Sequence, residues 1–188
     1  MNRRELLRIL SVAGAQVAIP LDAALPNSDA APADGTRTNA HARMNSHLWG
    51  VYALSVSKKT VYPVVREQLN TLTSELRGAR SEAEHTRLCS LTADVFQLAG
   101  EVFFDASRHT DAAHCYTLAA TASKQAKDYD LWACALTRHA YVSMYERDFS
   151  ETVPMLDAAR RLATRGNGQL STRQMGGGSA GGTPRRTR

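Results

Sequence analysis

The chain has few of the features on which disulfide, zinc and membrane-spanning structures depend. Its three cysteines, Cys89, Cys115 and Cys134, have no close ligand spacing, which argues against a disulfide framework and a zinc site. The apolar stretch from Ile9 to Ile19 is too short to cross a bilayer. No alternating strand pattern of useful length occurs. The sequence therefore predicts an all-α fold, with thiols suited to a reducing compartment.

Catalytic and cofactor motifs are also missing. There is no Gly-x-Ser-x-Gly, and the glycines within residues 176–182 have no strand before them and no Gly-Lys-Ser/Thr after them. The best metal candidate is Glu82 with Glu84 and His85, but no second Glu-x-x-His exists to complete a site in a helix bundle. We therefore predict no enzyme activity, no cofactor and no metal.

Acidic residues are absent from the end of the chain, and this absence accounts for the net charge of +5. From Arg160 onward there are seven arginines and no Asp or Glu, so the rest of the chain has 16 basic and 18 acidic residues. A basic tail without interleaved aromatic residues is typical of a solvated end, not of a nucleic-acid interface.

Composition divides the chain into four segments. Residues 1–19 are basic and then apolar, and residues 20–43 hold proline and glycine among small polar residues, as expected of a linker. Residues 44–166 carry helical apolar periodicity, and residues 167–188 form a Gly- and Arg-rich tail that we expect to be disordered.

The N-terminal segment allows two interpretations. Arg3-Arg4 followed by an apolar run, with Ala31-Pro32-Ala33 as a cleavage site, resembles a twin-arginine export signal. The alternative is a short helix or junction at the start of a cytoplasmic protein, and we favour this second interpretation. Export would remove residues 1 to about 33, whereas a junction would remain attached.

Apolar spacing and capping residues predict six helices. The first lies near Trp49 and Tyr52, and five others follow it. One apolar stripe runs from Val61 to Leu76 and ends at Gly78. A capping box of Ser81 and Glu84 then opens a helix of about 25 residues. The remaining helices are predicted at about 109–126, 128–146 and 150–165.

Small and aromatic residues recur within this helical segment. Three positions of one helix match three positions of another at a constant shift along the chain: Ala112, Tyr116 and Ala119 match Thr152, Leu156 and Ala159. With Phe96, Ala99, Gly100 and Phe103, they have the offsets of a tetratricopeptide (TPR) helical hairpin. We therefore expect about three hairpins stacked as a right-handed solenoid, an architecture that presents a concave binding surface.

A family resemblance rests on Leu48-Trp49 with Tyr52, on residues 98–128, and on the continuation through Leu136 and Tyr141 to the turn at 145–149. These features resemble the sensor half of bacterial XRE-type helix-turn-helix transcriptional regulators, which carry TPR-like repeats behind a DNA-binding domain. The resemblance implies a module that binds protein or peptide or senses a ligand. No helix-turn-helix is predicted before the repeats, so direct sequence-specific DNA binding is not expected.

Gly100 takes the small-residue position of the repeat, and Gly50 and Ala140 are aligned with it. This alignment predicts a partner-binding groove. The groove would have an acidic centre with apolar flanks, and would accept a peptide segment with a basic residue between hydrophobic anchors. Its predicted residues are His47, Val51, Leu54, Asp94, Gln97, Glu101, Phe104, Asp105, Thr137, Tyr141, Met144 and Tyr145.

The repeat pattern stops after about Gly166, where the family continues. We interpret this as truncation of an ancestral repeat array, which would leave the last hairpin with an uncovered apolar face. Such a face predicts self-association.

Overall fold

The computed structural model describes residues 34–166, and this part of the chain contains six α-helices, one 3-10 helix (Lys58–Val61) and no strand. The prediction of an all-α fold is confirmed. The six helices are α1 (Asp34–Leu54), α2 (Tyr62–Gly78), α3 (Glu82–Asp105), α4 (His109–Ala126), α5 (Tyr129–Tyr145) and α6 (Phe149–Ala163). None of the helices between residues 34 and 166 is long and apolar enough to cross a membrane. The predictions for residues 1–33 and 167–188 lie outside the described part of the chain.

Helix α1 begins ten residues before Met44, so the prediction that residues 34–43 belong to the linker is wrong. Residues 34–43 were missed because Thr38, the buried residue among them, is polar. Thr38 and Asn45 are 3% and 2% exposed, and Thr38 Oγ1 accepts a hydrogen bond of 3.2 Å from Arg87 Nε of α3. A search for apolar periodicity cannot find a helix whose inner face is held by hydrogen bonds.

Helices α2 and α3 form where the apolar stripes predicted them. Pro63 lies in the first turn of α2, where its missing N–H costs nothing. Ser81 caps α3 by accepting a 3.1 Å hydrogen bond from Glu84 N, as the capping box requires. The Glu84 carboxylate accepts from Arg80 N at 2.8 Å, one residue before the cap. Helix α3 is 24 residues long and contributes more buried residues than any other helix of the described chain.

The turns after α3, α4 and α5 have the same backbone conformation and recur at equal intervals along the chain. Ser107, Lys127 and Arg147 have φ values of 57°, 55° and 62°, the left-handed region. In each turn the N–H of this residue donates to the carbonyl oxygen three residues earlier. The N–H of the next residue donates to the carbonyl oxygen five residues earlier, and the N···O distances are 2.8 to 3.2 Å. This pattern is the Schellman motif. The separation of Ser107 from Arg147 equals the shift at which the small residues recur in the sequence.

Most helices pack against their neighbours in the chain, and the third helix also packs against the first and the fifth. Consecutive helices from α2 to α6 contact each other, and α3 also packs against both α1 and α5. Helices α2 and α4 hardly touch each other, although both pack on α3. Helix α3 is therefore the central element: α1 and α5 flank it on one side, and α2 and α4 flank it on the other.

Helices α3 and α4 approach each other closely at Gly100. A Cβ atom at this position would lie 2.4 Å from Cε1 of Tyr116 and 2.8 Å from Cδ1. Tyr116 is 2% exposed, so its ring fills the space that a side chain at residue 100 would need. Gly50, in the exposed part of α1, has no atom of the described chain within 4 Å of the equivalent position.

The last helix carries an exposed apolar stripe. Phe149, Val153 and Leu156 are 59%, 65% and 42% exposed, and their spacing puts them on one face of α6. A neighbouring face of α6 packs on α5 through Ala159 and Leu162. The apolar face that the sequence predicts on the last hairpin is present.

Candidate functional site

A cavity of about 830 Å³ lies between α1 and α5, with α3 as its floor. Its volume is within the range of roughly 300 to 1,000 Å³ that is usual for ligand sites. We call it the α1–α5 groove. Its polar and aromatic lining residues are Asn45, Ser46, Trp49, Tyr52, Lys58, Ser90, Asp94, Glu101, Asp128 and Arg138.

Helix α1 presents Asn45, Trp49 and Tyr52 to the groove from one face. Their offsets of four and seven residues put them on a single side of the helix. Leu48, between them in sequence, is buried and anchors α1 to the core. The aromatic rings of Trp49 and Tyr52 lie 6.0 Å apart, edge to face, and both side chains are partly exposed.

Asp94 joins α1 to α3. Its carboxylate accepts hydrogen bonds from Trp49 Nε1 at 2.9 Å and from Asn45 Nδ2 at 3.1 Å. Burial raises the pKa of Asp94 above its ordinary value, and the two hydrogen bonds offset part of that shift. Both the nitrogen and the oxygen of the Asn45 amide have further partners. The nitrogen also donates to Leu91 O at 3.0 Å, and the oxygen accepts from Gln68 Nε2 at 3.0 Å. The network fixes the aromatic side of the groove.

Glu101 joins α3 to α4 and α5. Its Oε1 accepts a 2.8 Å hydrogen bond from the Tyr116 hydroxyl and lies 3.2 Å from Nη1 of Arg138. The Arg138 guanidinium also lies over the Trp49 ring, 5.0 Å from its centroid. Because the Arg138 side chain is only 16% exposed, this cation crosses the groove from α5 to α1 with little contact with water.

One end of the groove is closed by Tyr52. Its hydroxyl donates to Asp105 Oδ2 at 2.7 Å, and burial together with this bond raises its pKa. Lys58 Nζ lies 4.7 Å from the centre of the Tyr52 ring and donates to the backbone oxygens of Tyr52 and Ala53. The other end holds Asp128, which caps α5 by accepting from Leu131 N at 3.1 Å.

The groove has an excess of carboxylates. Asp94, Glu101 and Asp128 line it together with the cations Lys58 and Arg138, and Asp105 adjoins it through Tyr52. All of these carboxylates accept hydrogen bonds from the chain itself. Three carboxylates therefore line the groove, and Arg138 already pairs with one of them, Glu101.

The predicted groove residues of α3 divide into three groups. Asp94 and Glu101 line the groove, and Asp105 borders it. Gln97 does not face a partner: it is fully buried and donates to Leu131 O at 3.2 Å, which ties α3 to α5. Phe104 packs outside the groove in an aromatic cluster, 5.4 Å from the His109 ring.

The predicted groove residues of α1 lie on the side of the helix that faces away from the groove. His47, Val51 and Leu54 are exposed and do not line the groove. At about 100° per residue they lie nearly opposite Asn45 and Trp49. The alignment of Gly50 with Gly100 was the error, since none of the described helices packs against Gly50.

The predicted residues of α5 lie beside the groove without lining it. Tyr141, Met144 and Tyr145 are 55%, 43% and 70% exposed. Thr137 is partly buried, and its hydroxyl donates to Ala133 O at 2.9 Å. Tyr145 joins the cluster of Phe104, 5.9 Å between ring centres. They extend an apolar and aromatic surface along the same helix.

Asn45, Trp49 and Arg138 were missed as groove residues. A signal for Arg138 exists in the sequence, because it is the only lysine or arginine in the largely apolar α5. A lone basic residue on such a helix indicates an internal ion pair. Asn45 and Trp49 carry no such signal, because their roles depend on the partners that the fold brings to them.

Comparison of the chain with protein-family models, with curated proteins and with solved structures gives no match. Within residues 34–166, no group of three or more histidine, cysteine, aspartate or glutamate side chains is arranged to hold a metal ion.

Proposed function

We propose that residues 34–166 form a TPR-like module that binds a protein or peptide segment in the α1–α5 groove. The segment carries a basic residue between hydrophobic anchors. The observation that carries the proposal is the lining of the groove, where an excess of carboxylates lies next to two partly exposed aromatic rings.

The repeat character is supported by two independent features. Small residues recur at a constant shift in the sequence, and the left-handed residues of the interhelical turns recur at half that shift. The contacts of α3 with both α1 and α5 are those expected when the first helices of successive hairpins stack. A surface made by such stacked helices is concave and binds extended segments.

Charge supports a basic ligand residue. Arg138 occupies the acidic centre by pairing with Glu101, and its other contact is the Trp49 ring. A lysine or arginine of the ligand can share Glu101 in the same way and can lie against the same ring.

The flanks of the groove supply the apolar contacts. Trp49 and Tyr52 line one side, and the exposed Tyr141 and Met144 continue along α5 beside it. Large aromatic residues contribute most to the affinity of protein interfaces because they bury a large area with few rotatable bonds. The ligand therefore needs a hydrophobic residue on each side of its basic residue.

A relation to the sensor half of XRE-type regulators is part of the proposal and rests on the sequence resemblance described above. In such a role the module acts on transcription through a partner that it binds or from which it withholds a ligand. The groove contains no arrangement of side chains to which we assign catalysis.

The proposal is tested with a phage library of random nonapeptides selected on the full chain. We expect enriched peptides to carry Lys or Arg between large apolar residues. For an enriched, fluorescein-labelled peptide, fluorescence anisotropy should show that Glu101→Gln weakens binding roughly tenfold or more, since it removes a close charge partner.

Glu67→Gln is the matched control, because Glu67 is exposed on α2 and outside the groove. It should leave the affinity unchanged. Enriched peptides that are acidic or without charge would contradict the proposal, as would equal affinity for the two variants. Thermal unfolding of each variant separates loss of binding from loss of structure.

A further inference from the structure

Helix α6 carries apolar side chains that the other described helices leave open to solvent. Phe149, Val153 and Leu156 are exposed on one face, and we call them the α6 stripe. Arg160 continues this face four residues beyond Leu156, and its side chain is 76% exposed. At about 100° per residue, the four side chains lie within about 60° of one another around the helix. The described residues that line the α1–α5 groove include none of α6, so a partner of the stripe is independent of the peptide proposal.

The four residues are placed symmetrically along the helix. Val153 and Leu156 are the inner pair, and Phe149 and Arg160 lie four residues outside them, one on each side. Two identical antiparallel helices related by a twofold axis bring each residue opposite the one at the same distance on the other side of the axis. With the axis between Val153 and Leu156, the apolar inner residues meet each other and each Phe149 meets an arginine. The stripe is therefore complementary to a second copy of itself.

Phe149 and Arg160 form a favourable pair across such an axis. A guanidinium group stacks its flat face on an aromatic ring and keeps the N–H groups at its edge for hydrogen bonds. Nη2 of Arg160 donates to Asp157 Oδ1 of the same helix at 3.2 Å. Because this bond uses the edge of the group, it is compatible with stacking of the face on the partner's Phe149.

The charges along α6 favour the antiparallel arrangement. The helix begins with acidic residues, Asp148 at its N-cap and Glu151 in its first turn, and it ends with Arg160 and Arg161. In an antiparallel pair the acidic end of each helix lies beside the basic end of the other, whereas a parallel pair brings like charges together. A partner of uniform charge would suit one end and be repelled by the other, so the charge pattern favours a second copy.

We propose that the α6 stripe is the interface of a symmetric dimer, in which the two α6 helices are antiparallel. Val153 packs against the partner's Leu156, and Phe149 against the partner's Arg160. At about 100 Å² for each half-exposed large side chain, the four residues offer roughly 400 Å² per copy, and stable complexes bury about 800 Å² per partner. The dimer is therefore weak, with a dissociation constant on the order of 100 µM.

Sedimentation equilibrium of the full chain, from about 10 µM to about 1 mM, brackets this dissociation constant. We expect the average mass to rise with concentration from that of a monomer toward that of a dimer. Arg160→Glu should weaken the dimer at least about fivefold, because it places a carboxylate against the partner's Phe149. Arg161→Glu is the matched control: Arg161 also pairs with Asp157, but it lies about 100° from Arg160 around the helix. It should change the dissociation constant by no more than about twofold.

Two results of this experiment would overturn the dimer. One is a monomer at the highest concentration, which is also the result if residues 167–188 or a different protein cover the stripe. The other is an equal effect of Arg160→Glu and Arg161→Glu, which would mean that the stripe face is not the contact. Thermal unfolding of both variants separates loss of association from loss of structure.

Disulfide crosslinking tests the antiparallel register in a Cys134→Ser background, where the other two cysteines are buried. Chains with Phe149→Cys are mixed with chains with Arg160→Cys and oxidised at about 1 mM, above the expected dissociation constant. We expect at least about fivefold more mixed disulfide than either homodimeric disulfide, because these two positions face each other. Ser150→Cys replaces Phe149→Cys in the control, since residue 150 lies about 100° away from Phe149, and it should give little mixed product. Equal yields of mixed and homodimeric products would overturn the register.

Discussion

The close approach of α3 and α4 at Gly100 makes a quantitative prediction. An alanine at this position would place its Cβ 2.4 Å from the Tyr116 ring, which is buried and cannot rotate away into solvent. Helix propensity favours alanine over glycine by about 1 kcal/mol. Overpacking costs about 1 to 3 kcal/mol, and displacement of the ring weakens a hydrogen bond to Glu101 that is worth about 1.5 to 3 kcal/mol. We expect Gly100→Ala to lower the free energy of unfolding by about 1 to 3 kcal/mol.

Gly50→Ala is the control, because an alanine there meets no atom of the described chain within 4 Å. It should raise the free energy of unfolding by about 0.5 to 1 kcal/mol. Urea unfolding followed by circular dichroism gives both values from the midpoint and slope. In a Tyr116→Leu background, Gly100→Ala should become neutral or stabilising, since the clashing ring is gone. Stabilisation by Gly100→Ala in the unmodified chain would refute the packing at this position.

Three further predictions concern a turn, a buried acid and an exposed face. Lys127→Gly should raise the free energy of unfolding by about 0.5 to 1 kcal/mol, because glycine adopts the left-handed conformation without strain. Lys124→Gly, inside α4, should lower the free energy of unfolding by up to about 1 kcal/mol in the same urea assay. The raised pKa of Asp94 means that its contribution to stability is largest below its ordinary value of 3.8 and is lost as pH rises through the raised value. Asp94→Asn should therefore flatten the fall in stability above about pH 4, and an unchanged pH profile would contradict the assignment. Val153→Glu with Leu156→Glu should abolish the self-association expected of the exposed α6 stripe, and a monomeric unmodified chain at high concentration in sedimentation velocity would count against that stripe as an interface.

The helices with apolar stripes could be predicted from sequence, and the helix with a polar interior could not. The predicted helix at 109–126 agrees with α4 at both ends, and those at 128–146 and 150–165 agree with α5 and α6 within two residues. Helix α1 was placed ten residues too late, because Thr38 and Asn45 are buried by hydrogen bonds. The helix ends at Leu54, and Val56 beyond it is exposed.

Only some of the groove residues could be predicted, because the sequence shows how α3 packs but not how α1 packs. Asp94 and Glu101 were found because the sequence offers a clear small-residue register at Gly100, where α3 meets α4. The same register applied to Gly50 failed, since none of the described helices packs against that glycine. The link from Arg138 to Glu101 joins residues far apart in sequence, and only the packing of α5 on α3 brings them together.

Binding of a peptide with a basic residue in the α1–α5 groove, as we propose it, can be tested by photo-crosslinking. A selected peptide with benzophenone next to its basic residue is irradiated with the full chain, and the adducts are mapped by mass spectrometry. We expect adducts on Trp49, Tyr52 or Leu131, which line the groove. Adducts confined to Phe103 or Leu118, which line a separate cavity between α2 and α4, would contradict binding in the groove.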